Sequence, residues 1–131
     1  IHFLDPVVKS EMPAIITASD AAIIPLKKLD LFLGAIPSKT FENMMLRKPI
    51  LLGVDGEART LFIEQGKGGL YFEPENVDQL ADGIRQLMHH PETCKEFGEQ
   101  GSRYVQSHFD LDRIAERFKS TVEQQWNHRK G

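Results

Sequence analysis

The 131-residue chain predicts an α/β fold, a parallel sheet with helices on both faces, followed by a helical last third. Three observations carry this. The short apolar runs Ala21-Ala22-Ile23-Ile24 and Ile50-Leu51-Leu52 suit strands that are covered on both sides. Helical patterns alternate with the runs, in the order strand, helix, strand, helix, strand, helix, strand, which argues for parallel strands joined by crossover helices. Beyond Val77 the apolar residues recur at helical spacing, with no further strand signal.

Ile1 to Leu4 reads as a first short strand, ended by Asp5 and Pro6. Val8, Met12, Ile15 and Ile16 then fall near helical spacing, giving a helix from about Ser10 to Ala18 with Pro13 in its tolerant first turn. The strand after Asp20 closes at Pro25, and Lys27 to Pro37 is a long connection of the kind that usually carries function. Ser38 opens and caps a helix to about Arg47, which buries Phe41, Met44 and Met45 before Pro49 stops it. Ile50 to Leu52 follows as a strand. A helix beginning at Asp55-Gly56 holds Ala58, Leu61 and Phe62 and ends on Gly66 as its C-cap, and Gly69 to Phe72 forms the fourth strand. Asn76 with Gln79 makes a capping box for a helix through Val77, Leu80, Ile84, Leu87 and Met88. Pro91 starts another through Phe97, Tyr104 and Val105, and Asp110 caps a last one through Leu111, Ile114, Ala115, Phe118 and Val122. Trp126 lies beyond that stripe among polar residues, so its indole is expected to be exposed or covered by a neighbouring molecule.

Bulk properties bound the partners. A composition of 40% hydrophobic and 27% charged residues is that of an ordered globular protein and excludes disorder. The net charge of −3, with scattered basic residues, gives no footprint for nucleic acid. A single cysteine, Cys94, excludes an internal disulfide, suits a reducing compartment and reads as a packing residue. No apolar run is long enough to span a bilayer and no signal peptide opens the chain, which predicts a soluble protein. The opening Ile1-His2-Phe3-Leu4 looks like the inside of a strand, and the chain is expected to be one piece of a longer protein.

The chemistry concentrates between Gly34 and Glu57. Pro37 stiffens the approach to a helix whose first-turn N–H groups attract anions. Lys39 adds a positive charge where the helix dipole alone favours an acid, so the Ser38-Lys39-Thr40 turn asks for an anionic ligand. Glu42, one turn on, can accept hydrogen bonds from hydroxyl groups. Gly53-Val54-Asp55-Gly56-Glu57 follows the next strand, so two adjacent strand ends aim loops at one crevice, where open α/β sheets bind ligands. A phosphate joined to a sugar is the implied ligand.

Other motifs fail on context. Asp110-Leu111-Asp112 resembles a metal-holding pair but begins a periodic helix, where capping explains it better. Gly66-Lys67-Gly68-Gly69 follows a helix and precedes a strand, the reverse of phosphate-loop order. His89-His90 lies at a helix end with no further ligand at metal spacing. No metal site is expected.

Pro-Ser-Lys-Thr-Phe-Glu-Asn-Met, Lys-Pro-Ile-Leu-Leu, Asp-Gly-Glu and Gly-Gly-Leu-Tyr-Phe-Glu-Pro-Glu-Asn-Val-Asp-Gln-Leu-Ala, in this order, resemble the C-terminal half of group-1 retaining glycosyltransferases. The branch it resembles most nearly is that of the fucosamine transferases of bacterial polysaccharide synthesis. The resemblance implies the Rossmann-like donor-binding domain of a two-domain GT-B enzyme, here without its first strands and its N-terminal acceptor domain. It implies a nucleotide-diphosphate sugar, a UDP-sugar above all, as donor and a glycan or lipid-linked acceptor, with no metal or other cofactor. It places the intact protein in the cytoplasm, peripheral at the inner face of the membrane. Glu42 corresponds to the family glutamate on the ribose, and Gly34, Pro37, Ser38, Lys39, Thr40, Gly56 and Glu57 complete the donor-binding set. Many members carry a glutamate where this chain has Gly34, and commonly a glycine where it has Arg47, which argues against a left-handed cap there. The terminal helix of the family crosses back to the N-terminal domain, which would give Trp126 a partner. A GT-B-like sugar epimerase and a non-catalytic interaction domain share the fold and are the alternatives. Exposed sheet edges are expected to favour self-association.

Overall fold

Ile50–Gly53 (β2) is buried at every position, as a strand with helices on both faces must be. In the computed structural model, which describes residues 1–130, β1 (Ala22–Pro25) and β3 (Gly69–Tyr71) flank β2 in the order β1-β2-β3. Both pairings are parallel, with Ile23 opposite Leu51 and Leu51 opposite Leu70. The alternation of side chains along β2 divides the core. Ile50 and Leu52 pack on one face with Met44 of α2 (Ser38–Met45), Ala58 of α3 (Glu57–Arg59), Phe62 and Val105 of α5 (Pro91–His108). Leu51 packs on the other face with Phe72 and Leu87, the latter from α4 (Val77–His89). Phe41, Phe62 and Phe109 interlock edge to face on the first side, with centroids 5.1 and 5.0 Å from Phe41. Such ring pairs add about 0.5–1.5 kcal/mol each beyond burial.

Two helix starts follow the expected chemistry. The Asn76 side chain accepts the Gln79 N–H at 3.0 Å, and Asp110 accepts the Arg113 N–H at 3.0 Å ahead of α6 (Leu111–Lys130). Gln79 reaches further back than a capping box requires, its side-chain oxygen accepting the Glu73 N–H at 2.8 Å. α1 (Met12–Ala18) is entered through a single tight turn, Lys9–Glu11, with Pro13 in its first turn.

Several expectations are corrected. Ile1 to Leu4 is not a strand: residues 1–8 carry no regular structure, are exposed and pair with neither edge of the sheet, which has three strands rather than four. Ser38 does not cap α2. Pro37, held extended at φ −64° and ψ 125°, is the residue before the helix, and Ser38 is already its first helical residue. Arg47 does adopt the left-handed conformation, at φ 58°. Its N–H bonds Met44 O and the Lys48 N–H bonds Asn43 O, both at 3.0 Å, the paired closure of a Schellman turn. Gly66 is right-handed, at φ −77°, and Lys67 takes the left-handed position at φ 47°. The helix before it is also not a plain α-helix: after Arg59 the chain winds as a π-helix over Thr60–Gln65, with Gly66 N–H on Leu61 O at 2.9 Å.

The described side chains of α6 are exposed throughout, including Leu111, Phe118 and Val122, and Trp126 is 60% exposed. Cys94 packs in the α4-side core, half-buried, with its thiol donating to Leu87 O; burial pushes its pKa up. No helix of the described residues is long and apolar enough to cross a membrane.

Candidate functional site

The carboxyl ends of all three strands open on one side, and the loops leaving them converge there. A cavity of about 440 Å³ lies between them, walled by Leu26 to Asp30, Phe32 and Leu33 after β1, Val54 and Asp55 after β2, and Tyr71 at the end of β3 with Glu73 and Pro74 after it. This is the place at which parallel sheets bind ligands, and the volume falls within the range of small-molecule sites.

Two ties hold the loops in register. Glu57 N–H donates to Leu33 O at 2.8 Å, joining the β2 loop to the β1 loop. The approach requires Gly56: its φ is 77°, and a Cβ there would meet Leu33 O at 2.1 Å. At the other end Lys28 pairs with Glu73, while its backbone N–H donates to the Glu75 carboxylate at 3.1 Å. Glu75 reaches that position through a left-handed backbone, φ 68°. The hydrogen bond and charge of Glu73 raise the Lys28 pKa, and those of Lys28 lower the Glu73 pKa. Both side chains are solvent-exposed, so the pair sets loop position more than it adds stability.

Arg59 is the most constrained charge in the wall. Its guanidinium lies 4.2 Å from the centroid of the Tyr71 ring, with Nη1 3.5 Å from Asp55 and Nε 3.2 Å from Glu64. Asp55 in turn accepts the Gly56 N–H at 2.8 Å. Burial, then the charge of Asp55, raises the Tyr71 hydroxyl pKa.

The two loops that the sequence aims at one crevice do line this cavity, through Lys27, Phe32 and Leu33 and through Val54 and Asp55; of the eight named donor-binding residues none lines it, though three adjoin it along the chain: Gly34 follows Leu33, and Gly56 and Glu57 follow Asp55. Gly34 faces open space, with nothing within 4 Å of the place its Cβ would take. Pro37, Ser38 and Lys39 form the start of α2, where no side chain caps the first-turn N–H groups and no acid sits in the first turn. Lys39 and Glu42 are exposed. Thr40 is fully buried, and its hydroxyl has no hydrogen-bond partner. Lys28, Arg59, Tyr71 and Glu73 were not found by sequence reasoning. Asp55 and Arg59 carry the helical i, i+4 spacing that could have marked them, whereas Lys28 and Glu73 stand 45 positions apart and only the fold brings them together. Among the described residues, no cluster of three or more His, Cys, Asp or Glu side chains is placed to hold a metal ion.

A three-stranded parallel sheet with helices on both faces and a cavity at the strand ends defines an α/β protein of Rossmann-like architecture. The family model for glycosyl transferases, group 1, matches residues 1–104, and the chain belongs to that family. No curated protein matches it.

Proposed function

We propose that this chain is the donor-binding half of a retaining glycosyltransferase of GT-B fold, holding a nucleoside diphosphate sugar, most simply a UDP-sugar. In this reading the sugar passes to a glycan or lipid-linked acceptor presented by a second domain, in cytoplasmic synthesis of cell-surface polysaccharide. The fucosamine-transferase-like branch is the nearest resemblance. The observation that carries the proposal is the open N-terminus of α2: no capping side chain, no first-turn acid, and an exposed Lys39 in a first turn whose Thr40 N–H bonds Pro37 O at 3.0 Å while no side chain accepts from the others. A helix end of this kind carries roughly half a positive charge, and a lysine adds a whole one. The α and β phosphates would meet the Ser38 and Lys39 end, where fixed positive potential also stabilises a departing diphosphate. Glu42, exposed one turn on, would accept the ribose hydroxyls. Gly34, Pro37, Thr40, Gly56 and Glu57 shape the approach.

Titrating the chain with UDP, followed by NMR, tests this. Binding by the chain alone is expected to be weak and transfer absent, since catalysis needs donor and acceptor held across one cleft. Glu42→Ala should weaken UDP binding by about 1.5–3 kcal/mol, roughly 10-fold to 150-fold, with unchanged thermal stability. Equal affinity for the two proteins removes Glu42 from the site. Turnover of a sugar donor by the pure chain would overturn the need for a second domain.

Gly34 favours a second reading, a fold kept for interaction without chemistry. The open space around it shows that a side chain fits, so the missing carboxylate is not a steric necessity. An epimerase would share the nucleotide site, and analysis of sugar products from the full-length protein separates it from a transferase.

A further inference from the structure

We infer that the strand-end cavity is the part of the donor site that reads the sugar, and that Arg59 is its specificity-determining residue. The inference rests on the donor reading above. It starts from the charge of the wall: Lys27, Lys28 and Arg59 are matched in number by Asp30, Asp55 and Glu73. Lys28 is paired with Glu73 and Arg59 with Asp55. A wall already neutralised by its own pairs gives little attraction to a phosphate, in contrast to the uncapped, lysine-flanked start of α2. It does present N–H donors and carboxylate oxygens at close intervals, which is what a neutral polyhydroxylated ring needs. Leu26, Leu29 and Phe32 supply apolar surface in the same cavity for the C–H face of such a ring.

Arg59 is suited to discriminate because it is already ordered. Tyr71 supports its plane, and Asp55 and Glu64 each bind one of its nitrogens. A guanidinium has five N–H donors in a rigid fork, so donors remain after both contacts, and the side chain is still 41% exposed. Asp55 uses Oδ1 for both Gly56 N–H and Arg59, which leaves Oδ2 for a hydroxyl. The two sites are joined through the chain: Leu33 walls the cavity, and the same loop delivers Pro37 and the start of α2. A nucleotide held at α2 would therefore carry its sugar toward Arg59.

The test compares UDP with UDP-glucose and UDP-N-acetylglucosamine on the same 131-residue chain, by NMR titration, for wild type, Arg59→Ala, Arg59→Lys and Glu42→Ala. The sugar should tighten binding over UDP for at least one of the two donors in wild type. Arg59→Ala should leave UDP affinity within two-fold and weaken binding of that donor by about ten-fold. Arg59→Lys, which keeps the charge and loses the fork, should recover little of it. Glu42→Ala should weaken UDP and donors alike. If Arg59→Ala keeps the full sugar increment, or lowers UDP affinity as much as donor affinity, the assignment is overturned while the donor reading stands. If wild type binds neither UDP nor the donors, both fall. A calorimetric melt of each variant shows whether a loss reflects unfolding instead, and Arg59→Lys then carries the comparison.

Discussion

Replacing Gly56 with alanine should destabilise this protein far more than its exposed loop position suggests. Gly56 has φ 77° and ψ −131°, a region essentially reserved for glycine, and holding another residue there costs about 1–3 kcal/mol. The added methyl would also lie 2.1 Å from Leu33 O. The obstacle is backbone on both sides, so the β1 loop must move, and the 2.8 Å bond from Glu57 N–H to Leu33 O is lost at about 1 kcal/mol. The sum is about 2–4 kcal/mol. At about 4 °C per kcal/mol for a chain of this size, Tm should fall by about 8–16 °C. Differential scanning calorimetry measures it, with Gly34→Ala as the control. Nothing lies within 4 Å of a Cβ at Gly34, so that substitution should stay within about 0.5 kcal/mol of wild type or stabilise slightly. If the two variants melt alike, the loop is not held by this contact and the register of the strand-end cavity has another origin.

Arg47→Gly should stabilise by about 0.5–1 kcal/mol, because it removes a left-handed conformation at φ 58° from a residue with a Cβ; calorimetry decides, and a destabilised variant would mean that the arginine side chain has a structural role. Phe62→Ala should cost about 3–5 kcal/mol, since the ring is fully buried and packs edge-on at 5.1 Å against Phe41; a loss under about 1 kcal/mol in urea denaturation would show a core able to collapse around the gap. Iodide should quench Trp126 strongly in dilute solution of this chain, and less in the two-domain protein if α6 crosses to the second domain as proposed. Equal protection in both would sink the crossover.

The sequence was most legible where burial is symmetrical. Ile50 to Leu52 read as a strand because residues covered from both faces cannot include charges, and α4 read clearly because its apolar stripe and Asn76 cap agree; the apolar run at Ala22–Pro25 also forms a strand, but with Ile24 buried and Ile23 47% exposed it is not covered on both faces. Ile1 to Leu4 shows the converse: an apolar run becomes a strand only when it pairs with an edge, and this one pairs with neither β1 nor β3. The helix ends were misread where backbone geometry overrode side-chain habit. Pro37 took the place assigned to Ser38, and Arg47 and Lys67 took left-handed positions usually given to glycine, because the following strands demand a reversal at that residue. Local chemistry alone suggested an anion site at the start of α2, as proposed above. The cavity was legible in part: the loops after β1 and β2 were expected to face one crevice, but the wall from Tyr71, Glu73 and Pro74 was not, since its place depends on strand order.

The exposed α6 changes what an optical probe of this protein reports. Every described residue of α6 is exposed and none is buried in the core, so the helix rests largely on its own propensity and on ties at its first turn, such as Arg113 Nη1 to Ser107 O at 2.9 Å. Most helical stability in proteins comes from packing of an apolar face, so a helix without a buried face unwinds residue by residue, outside the cooperative transition of the sheet and its helices. The only tryptophan of the chain sits on it. Fluorescence would therefore follow the fraying of an appendage, whereas far-ultraviolet circular dichroism would sum both processes and show a sloping baseline ahead of the main melt. Heat absorption would register chiefly the core. Discordant midpoints among the three are the ordinary behaviour of this architecture, and a two-state fit to tryptophan emission would assign the stability of α6 to the whole molecule.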